Sequence, residues 1–271
     1  MKIAIITGAS SGIGEEFLRQ ILRDSHTFTD SVPDEIWLFA RRAQRLIALR
    51  EELGPERIRI FSTDLVAEEG IDALSHALEE VRPQISLLIN CAGMGKYGDF
   101  SGHSREYIRK TLLLNCSVLS EMVIICLPYM LPLAEEKGFA RGPRILNIAS
   151  SAAFLPQPGF AVYAASKAYV TSFSQALSAE LKPLGIGVTA VCPGPVATDF
   201  IAIASGNPTG KPSGIKSLFV VQPQGLVRAS LRAVKRGKRL YIYAFSQKCL
   251  YFFSRILPTG LFLFLMKKMA K

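Results

Sequence analysis

Tyr163 and Lys167 stand four residues apart in "GFAVYAASKAYV", residues 159–170. In a helix that spacing puts both side chains on one face, one turn apart. A phenol with an ordinary pKa of about 10 is a poor proton donor at neutral pH. An ammonium about 5 Å away, at an effective dielectric near 20, favours the phenolate by about 3 kcal/mol. That is on the order of two pKa units, enough to make the phenol a usable general acid. The pair therefore reads as one device, with Tyr163 the acid/base and Lys167 the tuning charge. Ser150, thirteen residues before Tyr163, closes the apolar run "RILNIAS" and is placed to donate a hydrogen bond to a reacting oxygen. The small residues Ala164, Ala165 and Ser166 leave room for a bound molecule to lie against the helix.

The elements that position these side chains follow an alternating pattern. Short apolar runs at 2–7, 35–40, 57–63, 85–90, 144–149, 187–192 and 239–245 read as strands, and amphipathic stretches follow several of them. Continuous apolar strands separated by helices predict an α/β fold: a Rossmann-type doubly wound parallel sheet of about seven strands with helices on both faces. At 271 residues the chain is expected to form a single domain over 1–245, with a lid over 199–222 and a C-terminal extension over 246–271. The segment 25–34 reads as a surface loop, and the Gly/Pro/Ser-rich 204–216 as the mobile part of the lid.

A glycine turn, "TGASSGIG" (7–14), joins the first strand to the first helix, with glycines at 8, 12 and 14. Such a strand–turn–helix start offers free backbone N–H groups and a helix dipole to a pyrophosphate. At the end of the second strand an acidic residue would bind a ribose 2′-hydroxyl. Here Ala40 is followed by Arg41 and Arg42, whose guanidinium groups suit a phosphate, so NADP(H) is expected over NAD(H).

Taken together, "TGASSGIG", Asp64 in "STDL", "NCAG" (90–93), Asn115, Ser150, "YAASK" (163–167) and "PGPVAT" (193–198) resemble the short-chain dehydrogenase/reductase family in order and spacing. The resemblance runs from residue 2 to about residue 200. Cys91 stands where the family usually has a second Asn. Many bacterial 3-oxoacyl carrier-protein reductases of the family end in a Gly-rich strand that packs a tetramer, whereas this chain ends in a basic, aromatic tail. The resemblance implies an NADP(H)-dependent oxidoreductase that reduces a carbonyl to an alcohol. Its catalytic residues would be Asn115, Ser150, Tyr163 and Lys167, with Asn115 mid-helix anchoring a water chain to Lys167. Gly8, Ser10, Ser11, Gly12, Ile13 and Gly14 would cradle the pyrophosphate. Asp64, with Leu65, would meet the adenine; Asn90, Ala92 and Gly93 would line the ribose, which Lys167 also binds. Pro193, Gly194, Val196 and Thr198 would contact the nicotinamide end. A catalytically idle NADP(H)-binding sensor or scaffold is the competing expectation, although an intact proton donor serves no purpose in a pure binder.

Charge is segregated along the chain. Residues 1–199 hold 19 Lys/Arg against 22 Asp/Glu, while 200–271 hold 13 Lys/Arg and no acid. An anionic partner for the C-terminal third is one expectation, and a solvated basic face is the other. The tail lacks a nucleic-acid recognition motif, so no nucleic-acid partner is expected. Its longest uncharged apolar stretch, 256–266, is too short to cross a bilayer. Leu250, Phe253, Leu257 and Leu261 recur at helical spacing, with Lys267, Lys268 and Lys271 beyond. Such an element either lies on an anionic membrane or folds over the substrate cleft or a dimer interface. Either way, apolar surface near the site suits a hydrophobic carbonyl substrate. A homodimer or homotetramer is expected. Five scattered cysteines and an opening without a signal-peptide pattern point to reduced thiols and a cytoplasmic location. His26, His76 and His103 fall outside every motif, and no metal is expected.

Overall fold

A computed structural model describes residues 1–23, 33–206 and 219–269. Residues 25–32 of the expected surface loop, most of the expected mobile lid and Lys271 lie outside the described residues.

The apolar runs form the expected sheet. Strands β1 (Lys2–Thr7), β2 (Glu35–Ala40), β3 (Ile58–Ser62), β4 (Gln84–Asn90), β5 (Arg144–Ile148), β6 (Gly187–Val191) and β7 (Leu240–Tyr241) run in the order β3-β2-β1-β4-β5-β6-β7. Every pairing is parallel, with Ile6 opposite Leu38 on one side and Ile89 on the other. Strand order reverses between β1 and β4, and a crevice opens at the carboxyl ends of strands at such a switch point.

Because alternate strand residues face opposite ways, the sheet has two cores. Ala4, Ile6, Ile36 and Leu38 pack with Phe17 and Leu18 of α1 (Gly12–Arg23), Leu46 of α2 (Ala43–Leu53) and Leu231 of α8 (Pro223–Lys235). Ile3, Ile5, Trp37 and Phe39 pack with Leu74 of α3 (Glu68–Val81) and Met122 of α5 (Leu119–Arg141). Leu177 of α6 (Ala161–Leu181) closes the same layer. Helix α4 (Arg105–Leu112) runs into α5 through a π-helical turn over Leu113–Val118. The stretch Arg105–Arg141 is long and apolar enough to cross a membrane by length and composition, but its buried side chains pack on the sheet. A short α7 (Asp199–Ser205) follows β6.

The last strand is shorter than its apolar run suggests. The run over 239–245 keeps only Leu240 and Tyr241 in the ladder, because β7 is an edge strand and the chain turns at Ala244 to start α9 (Phe245–Ile256). The tail is two helices rather than one. Leu257 adopts an extended conformation (φ −78°, ψ 137°), and Pro258 precedes α10 (Thr259–Met269). Leu250, Phe253, Leu257 and Leu261 therefore form no single stripe, since a residue before proline leaves the helical region.

Candidate active site

The glycine turn is fixed by close backbone approach. Gly8 has φ +67° and donates its N–H to the Phe39 carbonyl at 2.8 Å, and a Cβ on it would lie 2.9 Å from the Ala92 backbone. A Cβ on Gly14 would stand 2.3 Å from the Gly8 carbonyl oxygen, so only glycine lets α1 start this close to β1. Thr7 Oγ1 accepts the N–H groups of Cys91 and Ala92, both at 3.0 Å, which ties the "NCAG" turn to β1.

Both arginines after β2 border this turn. Arg42 donates from Nε to Ser10 Oγ at 3.2 Å, from Nη2 to the Ser10 carbonyl at 3.3 Å and to Ser11 Oγ, and lies 3.8 Å from Asp199. Arg41 is open to solvent, 3.8 Å from Asp64. Asp64 Oδ1 accepts the Val66 N–H at 3.3 Å. The two guanidinium groups and two serine hydroxyls make a site matched to a phosphate.

Helix α6 carries Tyr163 and Lys167 on its inner face, both buried. Lys167 Nζ donates to the Ile148 carbonyl at 2.8 Å and sits 5.7 Å from the centroid of the Tyr163 ring. Ser150 follows β5, and its Oγ accepts the Ala152 N–H at 3.1 Å, capping a short 3₁₀ turn. The expectation that Lys167 lowers the phenol does not hold for the free chain. Burial pushes the Tyr163 phenol up, with the adjacent Ser150 hydroxyl pulling the other way, and burial brings Lys167 down to about 8. Desolvation is the largest influence on both groups, and no attraction between the two offsets it.

Asn115 lies in the π-helical turn rather than in regular helix. Its Nδ2 donates to the Met94 carbonyl and to Ser166 Oγ, both at 2.9 Å, and its Oδ1 accepts the Met94 N–H at 2.9 Å. The side chain is thus spent on holding the 93–95 loop against α6. That loop runs close to the phenol, for a Cβ on Gly95 would fall 2.5 Å from Tyr163 Cδ2.

These pieces border one cavity of about 870 Å³. The glycine turn, Arg41, Arg42, Asp64 and Leu65 line one part of it; Ala92, Gly93, Ser150, Tyr163 and Lys167 line another. Pro193, Gly194, Val196 and Thr198 border it from the loop after β6. Three of the expected residues do not line it. Gly14 packs beneath Gly8, and Asn115 stands behind Gly93. Asn90 turns its amide into the sheet, donating to Asn147 Oδ1 at 2.9 Å, because strand alternation points it away from the crevice.

The structure adds residues that the motifs do not mark. Tyr97 stacks on Phe160 with ring centroids 4.0 Å apart, Phe160 stacks on Tyr163 at 4.3 Å, and Phe200 lies 5.5 Å from Tyr163. All four rings line the cavity, so the phenol sits in an aromatic wall. Gln247 reaches the cavity from α9. It is buried, its Oε1 has no hydrogen-bond partner, and it packs so closely on Gly194 that a Cβ there would meet it at 2.8 Å. The rings come from three segments distant in sequence, and nothing local marks Gln247, which is brought in by the path of the tail.

A family model for short chain dehydrogenases matches residues 2–206. The chain belongs to this family. Members of this family take a nicotinamide cofactor, and the cavity residues fit such a molecule: the glycine cradle accepts no side chain and another part of the wall holds the Tyr–Lys pair. Among solved structures, a short-chain dehydrogenase from Sphingobium yanoikuyae in complex with NADPH is 31% identical, with a TM-score of 0.75 over 89% of this chain and 87% of that one. The bulky-bulky ketone specific alcohol dehydrogenase from Comamonas testosteroni is 28% identical, with a TM-score of 0.72 over 97% and 94%. Sulfoacetaldehyde reductase of Chromohalobacter salexigens is 32% identical over 74% of this chain and 75% of its own length. Other curated relatives are longer, and the chain spans 18% of one and 43% of another.

Proposed function

We propose that this protein is an NADP(H)-dependent reductase of hydrophobic ketones. The observation that carries the reading is a single cavity with an arginine–serine phosphate site along one part and a buried Tyr–Lys pair within an aromatic wall along another. The NADPH-bound relative from Sphingobium yanoikuyae and the bulky-ketone specificity of the Comamonas testosteroni enzyme support it.

When bound, the reduced nicotinamide supplies a hydride to the carbonyl carbon. Tyr163 donates its phenolic proton to the oxygen as negative charge develops there. Its raised pKa keeps that proton in place at neutral pH until the oxygen becomes basic enough to take it. Ser150 donates a hydrogen bond to the same oxygen, and Lys167 faces the phenolate left behind while holding the ribose. Asn115 fixes the 93–95 loop against α6, which sets the position of the phenol. Arg41 and Arg42, with Ser10, bind the 2′-phosphate.

The test is a homologous series of ketones assayed with NADPH and NADH, for the wild type and Arg42→Ala. The expected result is kcat/KM rising with apolar length and a preference for NADPH that Arg42→Ala reduces by about 10- to 100-fold, the loss of one charge-assisted contact. Preference for small polar carbonyls would remove the hydrophobic assignment. A cofactor preference insensitive to Arg42 would remove the phosphate site.

A further inference from the structure

We infer that α9 and α10 dock this protein on an anionic phospholipid bilayer. The inner face of α9 is anchored to the body of the molecule. Tyr251 meets Phe154 edge-on at 4.9 Å, and Gln247 is buried at Gly194. The opposite face is apolar and open. Phe245 is 81% exposed, Phe252 59%, Phe253 52% and Ile256 61%. At about 100° per residue these four fall within one arc of about 100°. Lys248 and Arg255, both exposed, border that arc. On α10, Leu261 and Phe264, one turn apart, are also exposed.

An ordinary surface helix turns its apolar stripe inward and its charges outward. Here the stripe faces water and carries its two cations along one edge, as a helix lying in a bilayer interface can. Helix α10 is 11 residues long, about 16 Å, against a hydrocarbon core of about 30 Å, so it lies along a membrane rather than through one. Charge selects the occupant. From residue 200 onward the chain has 13 Lys/Arg and no acid, so a two-fold contact between copies through this segment sets cation against cation. An anionic lipid surface removes that repulsion and covers the aromatic rings.

Docking also bears on the substrate. Gln247 of α9 lines the cavity, as do the exposed Ile203 and Phe219, so the membrane-facing helix contributes to the cavity wall. A ketone dissolved in the lipid then has a short path to Tyr163. This second step rests on the reductase reading; the docking does not.

The test is co-sedimentation of the full chain with vesicles of phosphatidylcholine alone or mixed with phosphatidylglycerol, for wild type and the double variant Phe252→Glu, Phe253→Glu. Both positions are exposed, and circular dichroism and melting temperature check the fold independently of activity. The wild type is expected to bind the anionic vesicles at least about tenfold more tightly than neutral ones, with weaker binding in high salt. The double variant is expected to lose about tenfold or more. Absence of vesicle binding, equal binding by a folded variant, or lipid-free self-association abolished by the variant would each overturn the inference, the last by assigning the patch to a second copy.

Discussion

Burial sets the resting protonation of Tyr163 and Lys167 in opposite directions, and neither shift is what a tyrosine and lysine in water would show. The phenol is held protonated, while the ammonium is brought down to about 8, where it titrates within reach of ordinary buffers. Lys167 is charged below that pH and neutral above it. If its charge helps hold the cofactor, NADPH affinity falls as pH rises through about 8. The dissociation constant for NADPH, followed by fluorescence across pH, checks this. Lys167→Arg, which stays charged throughout, is expected to lose the alkaline limb, and an unchanged limb in that variant would assign it to another group. Cys91, whose thiol burial pushes up to about 12, is no candidate for that limb.

Strand β5 and its neighbours hold Ser150 and its surroundings in place through one buried cation, Arg144. Arg144, 3% exposed, donates to the carbonyls of Phe139, Ala140, Gly142, Pro143 and Val234. It thereby ties the ends of α5 and α8 to the start of the strand that leads to Ser150. Replacing it with Met removes the guanidinium from all five carbonyls, of which Pro143 and Val234 keep the N–H groups of Gly187 and Gly237, and a loss of about 3–4 kcal/mol is expected in urea unfolding. A loss under about 1 kcal/mol would mean that water takes its place. Nothing in the run "GPRILNIA" marks Arg144 as buried, because its partners come from distant backbone. Elements whose cause is local were legible: the strands from apolar runs and the tight turn before α1 from its glycines, while α6 sets Tyr163 and Lys167 on one face as their spacing requires of a helix. The length of β7 was not, since an edge strand ends where its neighbour ends. Nor was the break at Leu257, where the apolar repeat continues through Pro258 but the backbone cannot. The direction of the Asn90 side chain was not legible either, its motif position being visible and its direction set by the pleat.

Taken as one object, the chain divides its labour unevenly. The first 199 residues build six of the seven strands, the arginine–serine cluster and the Tyr–Lys pair, and they are near electrical balance. The basic remainder contributes β7, α8 and a tail that returns Gln247 to the cavity while showing its aromatic rings to the outside. The motif residues of the cavity were readable because their types and order are constrained by the chemistry. The aromatic wall and Gln247 were not, since they depend on how distant segments meet. All of this rests on Tyr163 acting as the proton donor inside that cavity. The most direct measurement is NADPH consumption by wild type and Tyr163→Phe with one long-chain ketone, alongside NADPH binding by each. Turnover reduced by about 10²- to 10⁴-fold with NADPH affinity unchanged is the predicted result. Undiminished turnover in Tyr163→Phe, or a wild type that binds NADPH tightly and reduces no ketone, would contradict it.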